Sequence, residues 1–295
     1  MRYGKPSISE RIGTLFIALF LLLMAVFCFY PVLYTIFASF SNPSLLAKHT
    51  GILWRSLGFT LRGYEIALSY GSIGIGYKNT LLIVVFGTLV NMLLTLLGAY
   101  ALSRKDMKLR APLTVFITIT MFFSGGLIPM YLTVKNYGLI DNRLALILPV
   151  AINSMNMFIL RAALNGVPSS IEESAHLDGA NDFVVLFRIL APLVKATLAV
   201  LTLYYVVGHW NSWFNAMIFL KSRDKYPLQL VLREILIANT SNAATSAGLD
   251  LSEMDLYKRL VKFCTTVIAT APILFLYPFL QKYFVEGVMI GSIKG

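Results

Sequence analysis

The sequence contains one polar and strongly punctuated segment between two long apolar runs. It reads Ser169-Ser170-Ile171-Glu172-Glu173-Ser174-Ala175-His176-Leu177-Asp178-Gly179-Ala180. A helix is predicted to run to Asp178 and to stop at Gly179, because glycine readily takes the left-handed conformation that follows a helix end. Asn181 or Asp182 can cap a second helix. The loop 164–190 is therefore predicted to be a helical hairpin, suited either to docking a partner or to connecting two apolar spans.

The first helix of this hairpin has two possible starts. Ser170 and Glu173 form a Ser-x-x-Glu capping box, and Ser169 and Glu172 form the same box one residue earlier. In either register the serine hydroxyl and the glutamate carboxylate would satisfy backbone N–H groups that a helix start leaves unpaired. Both starts predict a rigid helix that protrudes from the apolar part of the chain.

The composition indicates that the apolar part is embedded in a membrane. Of 295 residues, 57% are hydrophobic and only 13% are charged, about half the usual charged share of a soluble domain. The net charge of +11 comes mostly from lysines and arginines in loops beside the apolar runs, where they suit anionic headgroups and orient the spans. This placement excludes nucleic-acid binding as the reason for the basic charge.

Six segments are long and apolar enough to cross about 30 Å of hydrocarbon. They are residues 12–38, 80–102, 112–132, 143–163, 191–220 and 261–281. Continuous runs of this length indicate helices, which satisfy their own backbone in lipid. The fold class is therefore predicted to be an all-α integral membrane protein with six transmembrane helices and the hairpin between the fourth and the fifth. Internal prolines predict kinks, at Pro31, Pro129, Pro149, Pro272 and Pro278.

The distribution of basic residues predicts the orientation. Arg104, Lys105, Lys108 and Arg110 crowd one short loop, which predicts that this loop is cytoplasmic. Both termini and the hairpin then also face the cytoplasm. Three regions follow along the chain: residues 1–79 with the first span and an extracytoplasmic loop, residues 80–281 with five spans and the hairpin, and residues 282–295 as a cytoplasmic tail.

Motifs for catalysis and for ATP binding are missing from the sequence. It contains no Gly-x-x-x-x-Gly-Lys-Ser/Thr phosphate loop, no His-Glu-x-x-His pair and no Gly-x-Ser-x-Gly elbow. His49, His176 and His209 are too far apart along the chain to predict a metal site. The chain is expected not to be an enzyme, to have no cofactor of its own, and to take its energy from a partner.

An ion-coupled secondary carrier of a small polar solute is the alternative function. Such carriers need ionisable groups within their spans to bind protons or sodium. Lys195 and His209 lie within the predicted spans, Arg161 and Lys262 lie near span ends, and no aspartate or glutamate lies well inside any span. The coupling chemistry of a carrier is therefore nearly missing.

The hairpin resembles the loop by which permease subunits of ABC importers dock on their ATPases. In that family the loop reads Glu-Ala-Ala-x-x-Asp-Gly-Ala, with Leu-Pro further on. Ser174 replaces the first alanine, and Ala191 stands where leucine is usual. The matching residues are Glu173, Ala175, Asp178, Gly179, Ala180 and Pro192.

The resemblance covers nearly the whole chain. Phe59-Thr60-Leu61-Arg62-Gly63-Tyr64 is similar to the Phe-Thr-Leu-x-x-Tyr segment after the first span of carbohydrate permeases. The tail from Gln281 to Gly295 resembles the glycine-punctuated tail of maltose-type subunits, which also ends in Lys-Gly. The segment Phe123-Ser124-Gly125-Gly126-Leu127-Ile128-Pro129 is similar to a segment found in the subgroup of these permeases that imports oligosaccharides. The sequence thus resembles the maltose-type carbohydrate permeases.

The resemblance implies a function, partners and a docking site. The chain would be a permease subunit of an ATP-driven importer of a carbohydrate, specifically an oligosaccharide, in the bacterial cytoplasmic membrane. It would pair with a homologous second permease, dock an ABC ATPase dimer that binds ATP and Mg, and receive its sugar from an extracytoplasmic solute-binding protein. The implied docking residues are Glu172, Glu173, Ser174, Ala175, His176, Leu177, Asp178, Gly179 and Ala180.

Candidate residues of the substrate pathway are polar or aromatic groups within the spans. Sugars bind by stacking on aromatic rings and by hydrogen bonds to amides and hydroxyls. Polar side chains at this depth normally face the interior of a bundle. Interhelical hydrogen bonds, or an aromatic belt at the headgroups, would explain the same residues. The candidates are Asn91, Asn153, Asn156, Trp210, Asn211, Trp213 and Asn215.

Overall fold

The computed structural model describes residues 8–238 and 256–275, and regular structure in these ranges is helical apart from one isolated bridge. The helices are α1 Ile8–Ser39, α2 Pro43–Lys48, α3 Arg62–Ser69, α4 Gly71–Ser103, α5 Arg110–Phe122, α6 Leu127–Asn136, α7 Ser154–Asn165, α8 Ser169–Leu177, α9 Asp182–Val184, α10 Ala191–Leu193, α11 Lys195–Trp210, α12 Phe214–Phe219, α13 Leu228–Ala238 and α14, residues 256–275. Short 3₁₀ turns cover Arg143–Leu146, Leu148–Val150 and Arg223–Lys225, and a π-helical stretch covers Val185–Leu190. The predicted all-α class is confirmed. The predicted tail 282–295 and the end of the sixth predicted span lie outside the described residues.

Two described helices are long and apolar enough to cross a membrane without interruption. They are Arg11–Ser39 within α1 and the whole of α4. In α1, none of the most apolar stretch is buried within this chain. In α4, 39% of the most apolar stretch is buried. Pro31 lies inside α1, and the helix continues past it. Of these two helices, α4 is therefore the one that supports the packing of the others.

Three further predicted spans are broken. α5 and α6 are bent by 116° from one another, Arg143–Val150 and α7 by 49°, and Asp182–Leu193 and α11 by 88°. The prediction of continuous helices at 112–132, 143–163 and 191–220 is wrong in this respect. Apolar composition indicates that a segment avoids water, but it does not indicate where the backbone turns.

The breaks lie at glycine and turn residues as well as at the predicted prolines. Between α5 and α6 the chain turns at Gly126, whose φ of +85° suits glycine. Pro129 is the third residue of α6, where a backbone N–H needs no helical partner, so it starts a helix rather than kinking one. Pro149 lies in a 3₁₀ turn and does coincide with a break. Pro272 lies in α14, and Pro278 is outside the described residues.

The described residues form two compact units. The first contains residues 8–70, 235–238 and 256–270, and the second contains residues 71–234 and 271–275. The three regions predicted from the sequence, with boundaries at residues 79 and 281, stay a prediction.

In the first unit, the segment from Phe59 to Tyr64 has a packing role. The rings of Phe59 and Tyr64 both lie against Phe40, with centroids 5.7 Å and 5.1 Å away. A Cβ on Gly63 would lie 2.7 Å from Cys264 Sγ in α14. Only glycine therefore lets α3 approach α14 this closely.

In the second unit, α4 packs against both α7 and α11. One apolar cluster joins these helices to the hairpin, and its most buried members are Ala99, Leu160, Leu164, Val185, Leu186, Leu190 and Leu201. α4 and α11 approach closely at Gly87, where a Cβ would lie within 2.9 Å of three atoms of the His209 imidazole. The crossing of α4 and α11 thus depends on the missing side chain at Gly87.

The turn after α6 is fixed by Asp141, a residue with a positive φ of 59°. Its carboxylate accepts hydrogen bonds from the backbone N–H groups of Lys221 and Ser222 at 2.9 Å and from Lys225 Nζ at 2.8 Å. Lys225 first, and then Ser222 and Lys221, hold the pKa of Asp141 below its usual range. The stability that this charge adds is present above about pH 4 and declines as the pH falls below it.

Replacing Gly87 by Ala should lower the thermal stability of the purified protein, because the new methyl group must displace the imidazole of His209 from a packed interface. Overpacking of this kind costs roughly 1–3 kcal/mol. Gly74→Ala is the control on the same helix, since nothing lies within 4 Å of its Cβ position. A melting temperature of Gly87→Ala equal to that of Gly74→Ala would contradict the packing described.

Candidate functional site

The hairpin begins with α8, and its start differs from both predicted capping boxes. Pro168 occupies the N-cap position, Ser169 is the first helical residue, and no side chain caps the helix. The capping-box prediction is therefore wrong in both registers. Proline offers no polar side chain at this position, and the carboxylate of Glu172 pairs with Arg104, the residue that follows α4.

The end of α8 has the geometry that the sequence predicts at Gly179. Asp178 is the C-cap residue, and Gly179 follows with a φ of +84°. Gly179 N donates to the carbonyl of His176 at 3.0 Å, and Ala180 N donates to the carbonyl of Ala175 at 2.9 Å. This Schellman pattern pairs carbonyls that a helix end otherwise leaves free, so the turn is well defined.

The second helix of the hairpin is capped by Asn181. The side-chain oxygen of Asn181 accepts a hydrogen bond from Val184 N at 3.0 Å, so Asn181 and not Asp182 is the cap. The helical run Asp182–Leu193 then meets α11 at an angle of 88°. The hairpin is thus joined directly to α11, and it lies across the direction of that helix.

Two polar contacts fix the hairpin to the end of α4. Arg104 pairs with Glu172 of α8, and its guanidinium lies 4.5 Å from the centroid of the Tyr100 ring. The hydroxyl of Tyr100 donates to Asp182 Oδ1 at 3.0 Å. Each helix of the hairpin therefore has its own polar contact with the end of α4 or with the residue directly after it.

The inner face of the hairpin is apolar and buried. Ala175 of α8 and Val185, Leu186 and Leu190 of the following helix are at most 7% exposed, and they pack in the cluster that contains Ala99 of α4. Fully burying a leucine or valine side chain contributes roughly 1.5–3 kcal/mol. The attachment of the hairpin therefore depends on apolar packing as well as on the two polar contacts.

The nine predicted docking residues divide between two faces. Glu172 is paired with Arg104, Ala175 is buried and Ala180 is partly buried, so these three lie toward the helices of the second unit. Glu172 thus holds the hairpin in place instead of presenting a free carboxylate. The exposed residues of the predicted set are Glu173, Ser174, His176, Leu177, Asp178 and Gly179.

Sequence reasoning missed the residues that anchor the hairpin. Tyr100 and Arg104 lie 82 and 68 positions from their partners Asp182 and Glu172. In the sequence, Arg104 is recognisable only as one charge of a basic loop. No local pattern signals such long-range pairs, so the anchors could be identified only from the fold.

A cavity of about 550 Å³ lies where α7 begins and α11 ends. Its volume is within the range of sites that bind small molecules. Within the described part of the chain, no aspartate, glutamate, lysine or arginine lines it. Five of the seven predicted pathway residues do line it, namely Asn153, Asn156, Asn211, Trp213 and Asn215. The lining residues that were not predicted include Tyr204, Tyr205, His209, Ser212 and Phe214.

Asn91 and Trp210, the other two predicted pathway residues, do not line the cavity. Trp210 is 3% exposed. Asn91 is fully buried, and its Nδ2 donates to the carbonyls of Val150 at 2.6 Å and Ala151 at 2.9 Å. Its Oδ1 accepts a hydrogen bond from His209 Nε2 at 2.6 Å. For Asn91, the alternative of an interhelical hydrogen bond is the one that the structure supports.

The contacts of Asn91 position one wall of the cavity. The carbonyls of Val150 and Ala151 lie at the break before α7, and lipid offers no donor to such groups. An amide oxygen only accepts, so His209 carries its proton on Nε2. Asn91 therefore connects the break before α7, the centre of α4 and a cavity residue of α11.

The chain is similar to known proteins over a range that includes both the hairpin and the cavity. The family described as binding-protein-dependent transport system inner membrane component matches residues 94–290. The polygalacturonan/rhamnogalacturonan transport system permease protein YtcP of Bacillus subtilis (strain 168) is 39% identical over 294 residues, which covers 97% of this chain and 100% of YtcP. Protein LplC of the same organism is 38% identical over 265 residues, which covers 90% of this chain and 89% of LplC.

A solved structure is similar to nearly the whole chain. It is one chain in the crystal structure of a bacterial ABC transporter involved in the import of the acidic polysaccharide alginate, with a TM-score of 0.88 and 30% sequence identity. The match covers 96% of this chain and 100% of that chain. The protein therefore belongs to the family of binding-protein-dependent transport system inner membrane components, the permease subunits of ABC importers.

Proposed function

We propose that this permease subunit serves an ATP-driven importer of a carbohydrate, specifically an oligosaccharide, and that the segment 169–192 is where a partner ATPase docks. The observation that carries the proposal is the division of the hairpin into two faces. The inner face is fixed to α4 through Glu172 and Asp182, and the outer face presents Glu173, Leu177 and Asp178. A rigid element with one fixed and one exposed face is suited to transmitting the movement of a partner.

In this mechanism, closure of the ATPases on ATP moves α8, and the contacts of the hairpin carry the movement into the spans. The pair Arg104–Glu172 carries it to α4, and the run Asp182–Leu193 carries it to α11. α4 holds the break before α7 through Asn91, and α11 ends at the cavity. A displacement at the hairpin would thus reach the elements that bound the cavity, as alternating access requires.

The same proposal gives the arrangement in the membrane. The hairpin faces the cytoplasm, where ATP is, and both termini lie on that side, in agreement with the basic loop around Arg104. Six spans result when each bent pair counts as one and residues 261–281 form the last. A homologous second permease completes the pathway, an ABC ATPase dimer binds ATP and Mg, and an extracytoplasmic solute-binding protein delivers the sugar.

The proposed substrate class rests on the cavity and on the relatives. Amide groups and aromatic rings are the groups that bind sugar hydroxyls and the apolar faces of sugars, and the cavity contains both, in Asn153, Asn156 and Trp213 among others. YtcP is named for the transport of polygalacturonan and rhamnogalacturonan, and the similar structure belongs to an importer of the acidic polysaccharide alginate. Together these favour an oligosaccharide over a small ion or an amino acid.

Purification of the tagged chain in mild detergent, followed by mass spectrometry, tests the proposal. A second permease and a pair of ATPase subunits should co-purify, and the complex in liposomes should take up oligosaccharides only with ATP and a binding protein. A chain that purifies alone and transports in liposomes without ATP would contradict the proposal and favour an ion-coupled carrier.

Gly179→Val should uncouple ATP hydrolysis from uptake. The φ of +84° at Gly179 is strained for a β-branched residue by roughly 1–3 kcal/mol, so the turn of the docking hairpin would shift. Gly138→Val is the control, since Gly138 has a φ of +68° outside the hairpin and nothing near its Cβ position. In proteoliposomes, Gly179→Val should hydrolyse ATP with little uptake, and Gly138→Val should keep uptake; normal uptake by Gly179→Val would count against docking at this turn.

Substitution of the neighbouring residues Glu172 and Glu173 should affect two different properties, thermal stability and ATPase binding. Glu172→Gln removes the charge from an ion pair whose glutamate side chain is only 12% exposed, so it should lower the thermal stability of the permease by roughly 1–3 kcal/mol. Glu173→Gln alters the exposed face of α8, so it should leave the melting temperature unchanged and weaken ATPase binding. Melting curves and co-purification yields measure both effects. Equal effects of the two substitutions on stability would argue against the two-faced hairpin.

A further inference from the structure

One cation of the second unit lies beside the cavity without a role in the contacts described above. Arg233 of α13 has its guanidinium carbon 4.5 Å from the centroid of the Trp213 ring, and Trp213 lines the cavity. A cation–π contact of this kind holds the guanidinium over the ring. Arg233 is therefore held against an aromatic residue that lines the cavity, although Arg233 itself is not among the lining residues.

The guanidinium of Arg233 has no anionic partner among the described residues. Its hydrogen bond there goes from Nη1 to the thioether sulfur of Met217 at 2.8 Å, and a thioether is a weak acceptor. The neighbouring carboxylate of Glu234 lies 3.7 Å from Arg223 instead. Arginine has five N–H donors in a planar fork that fits a carboxylate, so most donors of Arg233 remain available in the described part of the chain.

We propose that Arg233 and Trp213 form a binding site for the carboxylate of an acidic sugar, so that the substrate of this importer is an oligosaccharide of uronate residues. The inference rests on the proposed function and names its substrate class. In it, the face of the Trp213 ring that Arg233 does not cover supports the apolar face of a sugar, the amides of Asn211 and Asn215 bind its hydroxyls, and Arg233 binds its carboxylate past the edge of the ring.

The electrostatics of the cavity agree with an acidic substrate. Among the described residues that line it, no aspartate or glutamate would repel a carboxylate. The cation is held beside a lining of neutral groups, which by themselves would serve a neutral sugar equally well. Arg233 is thus the feature that would distinguish an acidic from a neutral oligosaccharide. One similar structure belongs to an importer of an acidic polysaccharide, which is consistent with this assignment.

The test uses the complete importer, purified with its partners and reconstituted in liposomes. Uptake is measured for labelled trigalacturonate and for its methyl ester, which has the same backbone without the charges. Arg233→Gln should lower uptake of trigalacturonate roughly tenfold, the loss expected for one charge-assisted hydrogen bond, and leave uptake of the ester unchanged. Arg233→Lys keeps the charge without the planar fork, and it should give an intermediate uptake of trigalacturonate.

Arg223→Gln is the matched control, because it removes one positive charge nearby from a side chain that is 82% exposed. It should change the uptake of neither sugar. An equal loss of both sugars in Arg233→Gln would overturn the proposal, since it would show that Arg233 only supports Trp213. Uptake of both sugars by the wild-type importer with no effect of Arg233→Gln would overturn this inference alone. Uptake of neither sugar would also overturn this inference, and the carbohydrate proposal would fail with it only if neutral oligosaccharides were not taken up either.

Discussion

The pairing of Glu172 with Arg104 determines where the hairpin sits, and the proposed coupling depends on it. α8 has nine residues, and helices of this length are marginal in water, so its position must come from contacts with other elements. The ion pair and the burial of Ala175 supply these contacts for α8, and the hydrogen bond between Tyr100 and Asp182 supplies one for the helix that follows. The direction of the exposed face is thereby set by α4.

A second constraint comes from the bilayer, which offers no hydrogen-bond partners to the backbone. Bent spans leave carbonyl groups without helical donors, and Asn91 supplies the donors at the break before α7. Its remaining oxygen accepts from His209, and Gly87 provides the space for the imidazole. The same side chain thus permits a bend and joins three helices at the wall of the cavity. Asn91, in the centre of α4, therefore has a structural role, and the position of the cavity wall depends on it indirectly.

The sequence was most informative where the signals are local. Gly179 predicted the end of α8 because the left-handed turn needs that residue type, and the capping box failed because Pro168 takes the cap position. Apolar composition predicted membrane helices, but the 116° bend at Gly126 depends on backbone direction, which hydropathy does not report. Composition also cannot distinguish an amide that pairs the backbone at a helix break, such as Asn91, from one that lines a cavity, such as Asn215.

Site-specific crosslinking tests most directly whether the exposed face of α8 contacts the ATPase. Cys28 and Cys264 are first replaced, and one cysteine is then introduced in place of Leu177 or of Tyr137, which follows α6. Leu177 is 89% exposed and Tyr137 is 78% exposed. A photoreactive group is attached to the new cysteine. We expect a crosslink to the ATPase from Leu177 and none from Tyr137. A complex that keeps its ATPase but crosslinks from Tyr137 and not from Leu177 would contradict this expectation.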